Sequence, residues 1–128
     1  HRYLEEAGVQ AEVIDPIWLN PLDVDTIVES VYKTGKLCVV DNGWMTCGAG
    51  AEIVAAVTER LQGVRDVRVR RMGFAPVTCP TTPPLEDRFY PNARRIAAVA
   101  VDLLKGGPQG WLREERADLK DIEFKGPF

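Results

Sequence analysis

The chain has 128 residues, 45% of them hydrophobic, with a formal net charge of −3 and a pI of about 5.2. That is enough apolar material for one domain with its own core. It excludes the strongly basic balance of a nucleic-acid binder, and no apolar run approaches the roughly 18 residues that would span a bilayer.

In chain order, residues 2–7 read as the last turns of a helix, stopped by Gly8. AEVID (residues 11–15) reads as a short strand, ended by Pro16, and PIWLNP as an irregular link. Asp23 is placed to cap the next helix. There Val24, Ile27, Val28, Val31 and Tyr32 fall on one stripe at helical spacing, and Gly35 supplies the stop. Leu37-Cys38-Val39-Val40 is a continuous apolar run, as expected for a parallel strand buried on both faces. Ile53, Val54, Val57 and Leu61 mark a helix over residues 49–62. Val67 and Val69 alternate with Arg68 and Arg70, which predicts a strand with one wet face near a sheet edge. Five of the nine prolines lie in residues 74–91, so that stretch is expected to be an extended or turning loop. Asn92 is placed to cap a last helix carrying Ile96, Val99, Leu103 and Leu104, ended by Gly106-Gly107-Pro108.

Alternating strands and helices of this size predict an α/β domain of three layers, α/β/α, with a mostly parallel sheet. The domain is expected over residues 1–107, with residues 108–128 as a charged C-terminal tail that carries scattered apolar residues such as Trp111.

Candidate chemistry is sparse. Cys38, Cys47 and Cys79 are odd in number and widely spaced, with no CxxC pair, and His1 is the only histidine. A zinc site with four N or S ligands is not expected. Neither is a disulfide framework, which points to a reducing compartment: the cytoplasm or the mitochondrial matrix. The opening HRYLEEAGVQ also lacks the apolar core of a secretory signal. Nucleophilic triads need an oriented base, and the one histidine stands at the chain terminus. The glycines of GWMTCGAG (residues 43–50) follow a strand and open a helix, where backbone N–H groups can meet an anion. Neither GxGxxG nor GxxxxGK[ST] is present, so a tight strand-to-helix turn is the simpler reading. Arg65, Arg68, Arg70 and Arg71 form a basic cluster without interleaved aromatics, as expected for a solvated edge or a subunit contact. Arg94 and Arg95 sit at the positive end of the last helix, each at a cost of about 0.3–1 kcal/mol. A carboxylate is expected to offset them, from Glu86 or Asp87 or from a partner.

Four segments in order carry a family resemblance over residues 2–105. AEVID followed by NPLD, TIVESVYKTGKLCVVDNGW, GAGAEI and PPLEDRFYPN resemble the C-terminal domain shared by transketolases and their relatives. PPLEDRFYPN is similar to the form found in beta subunits of 2-oxo acid dehydrogenases of the pyruvate, acetoin or branched-chain type. The chain departs from the family at Pro16-Ile17, where Leu-Arg is common, and at Asp41-Asn42, where Glu-Glu is common. The family domain also opens with a buried strand ahead of its first helix. Here the chain starts inside that helix, so a fragment with an uncovered sheet edge is expected.

The resemblance implies an assembly domain rather than a catalytic one. The parent enzyme would use thiamine diphosphate and Mg to decarboxylate a 2-oxo acid, with acyl transfer to lipoamide. Catalytic, cofactor and metal residues are expected outside this chain. The implied partners are a second beta subunit, the alpha subunit and the dihydrolipoyl acyltransferase core, with neither nucleic acid nor membrane. Contacts are expected at Trp44, Gly48, Gly50 and Glu52, then at Glu86, Phe89 and Tyr90, and at Arg94, Arg95 and Trp111. Two other readings stay open: the same domain in another transketolase-type enzyme such as a deoxyxylulose phosphate synthase, and a flavodoxin-like module binding a small ligand at residues 43–50.

Overall fold

The computed structural model describes residues 1–107. Its elements are α1 (Arg2–Glu6), α2 (Val24–Thr34), β1 (Lys36–Val40), α3 (Ala49–Leu61), β2 (Arg68–Met72), α4 (Pro83–Phe89) and α5 (Ala93–Lys105). β1 and β2 pair in parallel, from Lys36 opposite Arg68 to Val40 opposite Met72. Parallel neighbours need a crossover, and α3 supplies it. The result is the expected α/β class: a small parallel sheet with helices packed around it. No helix among the described residues is long and apolar enough to cross a membrane.

α2 forms where the apolar stripe and the caps agree. Asp23 accepts from the Thr26 N–H at 3.1 Å and from the Thr26 hydroxyl at 2.7 Å. At the other end Gly35 takes a left-handed φ of 65° and donates its N–H to the Val31 carbonyl at 2.7 Å. Only a residue without Cβ adopts that conformation at little cost. Ile27 and Val31 of α2 then meet Ile53, Val57 and Leu61 of α3 over Val39 of β1, and this is the main core. α5 contacts both strands and α1, and buries Ala97, Val101 and Leu103. Tyr32, on the predicted stripe of α2, is 55% exposed.

Three expectations are corrected. Residues 11–15 form no strand: they join no ladder, and among the described residues their backbone groups have no hydrogen-bond partner. Extended backbone becomes a strand only beside a neighbour. Ile14 still packs on the core, and Glu12 accepts from the Ser30 hydroxyl at 2.7 Å. β1 is not buried on both faces either; Val39 is buried, but Val40 is 40% exposed. A sheet of two strands leaves each strand one open edge. Finally, the proline-rich loop contains α4. Pro83 and Pro84 occupy its first positions, where no N–H is needed and a fixed φ suits a helix.

Val57 is fully buried, so Val57→Ala should lower stability by about 2 kcal/mol in urea unfolding. A change under about 0.5 kcal/mol would contradict this account of the core. The Asp23 carboxyl is held below its usual range, first by the Thr26 hydroxyl and then by the Thr26 N–H. Its contribution is therefore complete above the ordinary carboxylate range and is lost as pH falls through the lowered value. Asp23→Ala should reduce the thermal midpoint at neutral pH, and the gap from the parent chain should close in acid. A gap independent of pH would show that the charged cap contributes nothing.

Candidate functional site

β1 and β2 end side by side, and the segments that leave them are tied together. The Phe74 N–H donates to the Gly43 carbonyl at 2.9 Å, and the Ala75 N–H to the Phe89 carbonyl at 3.0 Å. Arg71 Nη1 donates to the Met45 carbonyl at 2.9 Å. These bonds bring four rings into one cluster. Phe74 stacks on Phe89 at 4.7 Å, and Trp44 meets both edge-on, at 5.7 and 6.0 Å. Tyr90 meets the same pair edge-on, at 5.3 and 4.9 Å. Edge-to-face and offset contacts of this kind add about 0.5–1.5 kcal/mol each beyond area burial. Phe89 is the buried centre, whereas Trp44 is 50% and Tyr90 38% exposed. A rigid base therefore presents two amphipathic rings to solvent.

The turn below Trp44 is set by its glycines. Gly48 caps α3, and a Cβ there would collide with the Trp44 carbonyl. Gly50 is buried in the first turn of α3, against Val39. The turn does not suit an anion. The Asp41 carboxylate lies beside Gly43, and Glu52 stands in the first turn of α3. The enclosed space there is about 10 Å³, roughly one water at most. Thus thiamine diphosphate does not fit the described residues, and neither does the small ligand of a flavodoxin-like module. Among these residues no group of three or more His, Cys, Asp or Glu converges as metal ligands would.

The cysteines find no base. His1 pairs with Glu5 at 3.2 Å, at the start of α1. Cys79 Sγ lies 3.6 Å from the Tyr90 hydroxyl, and that hydrogen bond is the main reason the phenol is held above its ordinary pKa range. Burial pushes the Cys38 thiol up, with Arg70 opposing in part.

The two arginines at the start of α5 behave differently from expectation. Neither forms an ion pair with Glu86 or Asp87 among the described residues. Asn92 caps the helix by accepting from the Arg95 N–H at 2.9 Å. Arg95 Nη1 donates to the Arg88 carbonyl at 3.0 Å. That carbonyl belongs to the last turn of α4, whose negative dipole end takes the role foreseen for a carboxylate. Arg94 Nε is buried without a partner.

The structure therefore gathers Trp44, Phe89 and Tyr90 in one place, with Glu86 behind them accepting the Tyr90 N–H at 3.1 Å. Gly48 and Gly50 shape the turn, Glu52 stays in solvent, and Trp111 lies outside the described residues. Sequence reading missed Phe74, which completes the cluster. It also passed over Ile17, Trp18 and Leu19, which are 83%, 72% and 60% exposed. Their signal was available: three consecutive apolar residues between two prolines.

The family model of the transketolase C-terminal domain matches residues 2–96. The chain is 38% identical over 113 residues to the beta subunit of acetoin:2,6-dichlorophenolindophenol oxidoreductase from Cupriavidus necator, covering 84% of this chain and 33% of that protein. It is 35% identical over 101 residues to the protein of the same name from Bacillus subtilis, covering 79% and 30%. With the mitochondrial pyruvate dehydrogenase E1 component subunit beta of Pisum sativum it shares 40% over 97 residues, covering 76% and 27%. The chain spans about a third of the length of these curated relatives. A parallel β1–α3–β2 unit, the glycine turn that follows β1 and this coverage lead to one statement of kinship: the chain belongs to the transketolase C-terminal domain family, in the form carried by acetoin and pyruvate dehydrogenase-type beta subunits.

Proposed function

We propose that this domain is a non-catalytic assembly domain of the beta subunit of a thiamine diphosphate-dependent 2-oxo acid dehydrogenase. In such an enzyme thiamine diphosphate with Mg²⁺ supplies the decarboxylation chemistry, and lipoamide takes the acyl group. This reading gives none of those steps to the present residues. It gives them subunit contact: to a second beta subunit, to the alpha subunit and to the acyltransferase core.

One observation carries it. Trp44 and Tyr90 stand half in solvent on a ring cluster whose centre, Phe89, is buried. Rigid aromatic anchors lose little entropy on contact, and Trp, Tyr and Arg dominate interface energetics. Arg94 supports it, since its buried Nε still needs an acceptor. A carboxylate from a neighbouring subunit would meet that need.

The test is assembly. Trp44→Ala and Arg94→Ala would be introduced into the complete beta subunit carrying this domain, co-expressed with its alpha partner. Each should weaken assembly by about tenfold or more in sedimentation velocity, the effect of about 1.4 kcal/mol or above. Trp44→Phe should retain most of the affinity. Unchanged sedimentation in both alanine variants would overturn the reading.

A further inference from the structure

β1 is hydrogen-bonded on one edge only. Successive residues of a strand turn their backbone N–H and C=O to opposite edges. The Arg68 N–H donates to the Gly35 carbonyl at 2.9 Å and the Asp41 N–H to the Met72 carbonyl at 3.0 Å. Gly35, Leu37, Val39 and Asp41 therefore face β2, and Lys36, Cys38 and Val40 face away from it. The Thr34 hydroxyl meets Lys36, accepting its N–H and donating to its carbonyl, both at 3.2 Å. Cys38 and Val40 have no backbone partner on this edge among the described residues.

That edge opens on a cleft of about 260 Å³. β1 forms one long side, and the stretch from Val9 to Pro16, itself without a ladder, forms the other. Ile14, Val31, Leu103 and Leu104 contribute apolar lining. The two charged residues at the cleft are already engaged, Glu12 by Ser30 and Lys36 by the Thr34 carbonyl. An occupant must therefore be uncharged and apolar, and must offer backbone N–H and C=O along its length.

We propose that this cleft is a strand-acceptor site. It takes one extended, uncharged segment of about five residues, contributed from outside residues 1–107, which pairs with Cys38 and Val40. The length matches β1, which has five residues. A small apolar ligand would leave the edge unpaired. A second copy of β1 is walled in by its own residues 9–16 and cannot enter. The chain's own tail fits poorly, because Lys120, Asp121, Glu123 and Lys125 interrupt its apolar residues. The curated relatives extend far beyond the matched third, so polypeptide outside the matched part is the natural source of such a segment. The proposal is independent of the assembly reading.

The experiment is amide hydrogen exchange by NMR on the full chain. The probe is the peptide acetyl-Lys-Leu-Val-Val-Val-Lys-amide, patterned on β1. Its control is the same peptide N-methylated at the central valine. The plain peptide should slow exchange at Cys38 and Val40 by about tenfold or more, and by less at Leu37 and Val39, which β2 already protects. The N-methylated peptide should have no such effect. Equal protection by both peptides, or equal slowing at all four amides, would overturn the proposal. So would protection of Cys38 and Val40 before any peptide is added, whether the chain then sediments as a monomer or a dimer.

Discussion

Parallel pairing of β1 with β2 is the constraint on which the rest depends. It forces the chain through α3, and α3 brings Val57 over Val39 to make the core. It also brings the two strands to an end at the same side of the sheet. The turn after β1 and the loop after β2 then meet, and the Phe74 N–H can reach the Gly43 carbonyl. The ring cluster follows from that encounter. Gly48 permits the turn by leaving room for the Trp44 carbonyl, and α4 closes the cluster by delivering Phe89 and Tyr90.

Two sets of polar groups stay unsatisfied within the described residues, and both lie at the margins of the core. One is the cleft edge of β1 at Cys38 and Val40; the other is Arg94 Nε. Buried polar groups are nearly always paired in native proteins, so such sites mark where contacts from other polypeptide belong. The hydrophobic side agrees. Val40, Trp44 and the run Ile17-Trp18-Leu19 leave more apolar surface open than scattered single residues would. The domain has a sound core but an incomplete perimeter. A chain spanning a third of its relatives' length has the physical signature of a piece shaped by its neighbours.

The chemistry of the site is consistent with a role in contact rather than turnover. Asp41 and Glu52 put negative charge at the glycine turn, where a phosphate binder would keep it clear. The Cys79 and Tyr90 pair lacks a base. What remains is shape, aromatic surface and two arginines, one of which is answered by the end of α4 and the other not.

Much of this was legible in the sequence, because the signals are local. Asp23, the stripe Ile27 to Val31 and Gly35 specify α2 with no help from the rest of the fold, and Asn92 and Gly106 bracket α5 in the same way. The order of motifs was enough to recognise the family. The rest depended on partners far apart in the chain. Whether residues 11–15 become a strand is decided by a neighbour for their backbone, not by their β-branched residues. Whether Val40 is buried depends on a third strand beside it. α4 was hidden because prolines usually break helices, and only its starting position makes them compatible. Phe74 and Phe89 are 15 positions apart, and no periodicity links them. The sequence by itself determined the helices, the parallel pair and the kinship. The tertiary structure alone decided which rings cluster and which edge stays open, because cross-chain packing and backbone pairing are set by contacts that no local pattern encodes.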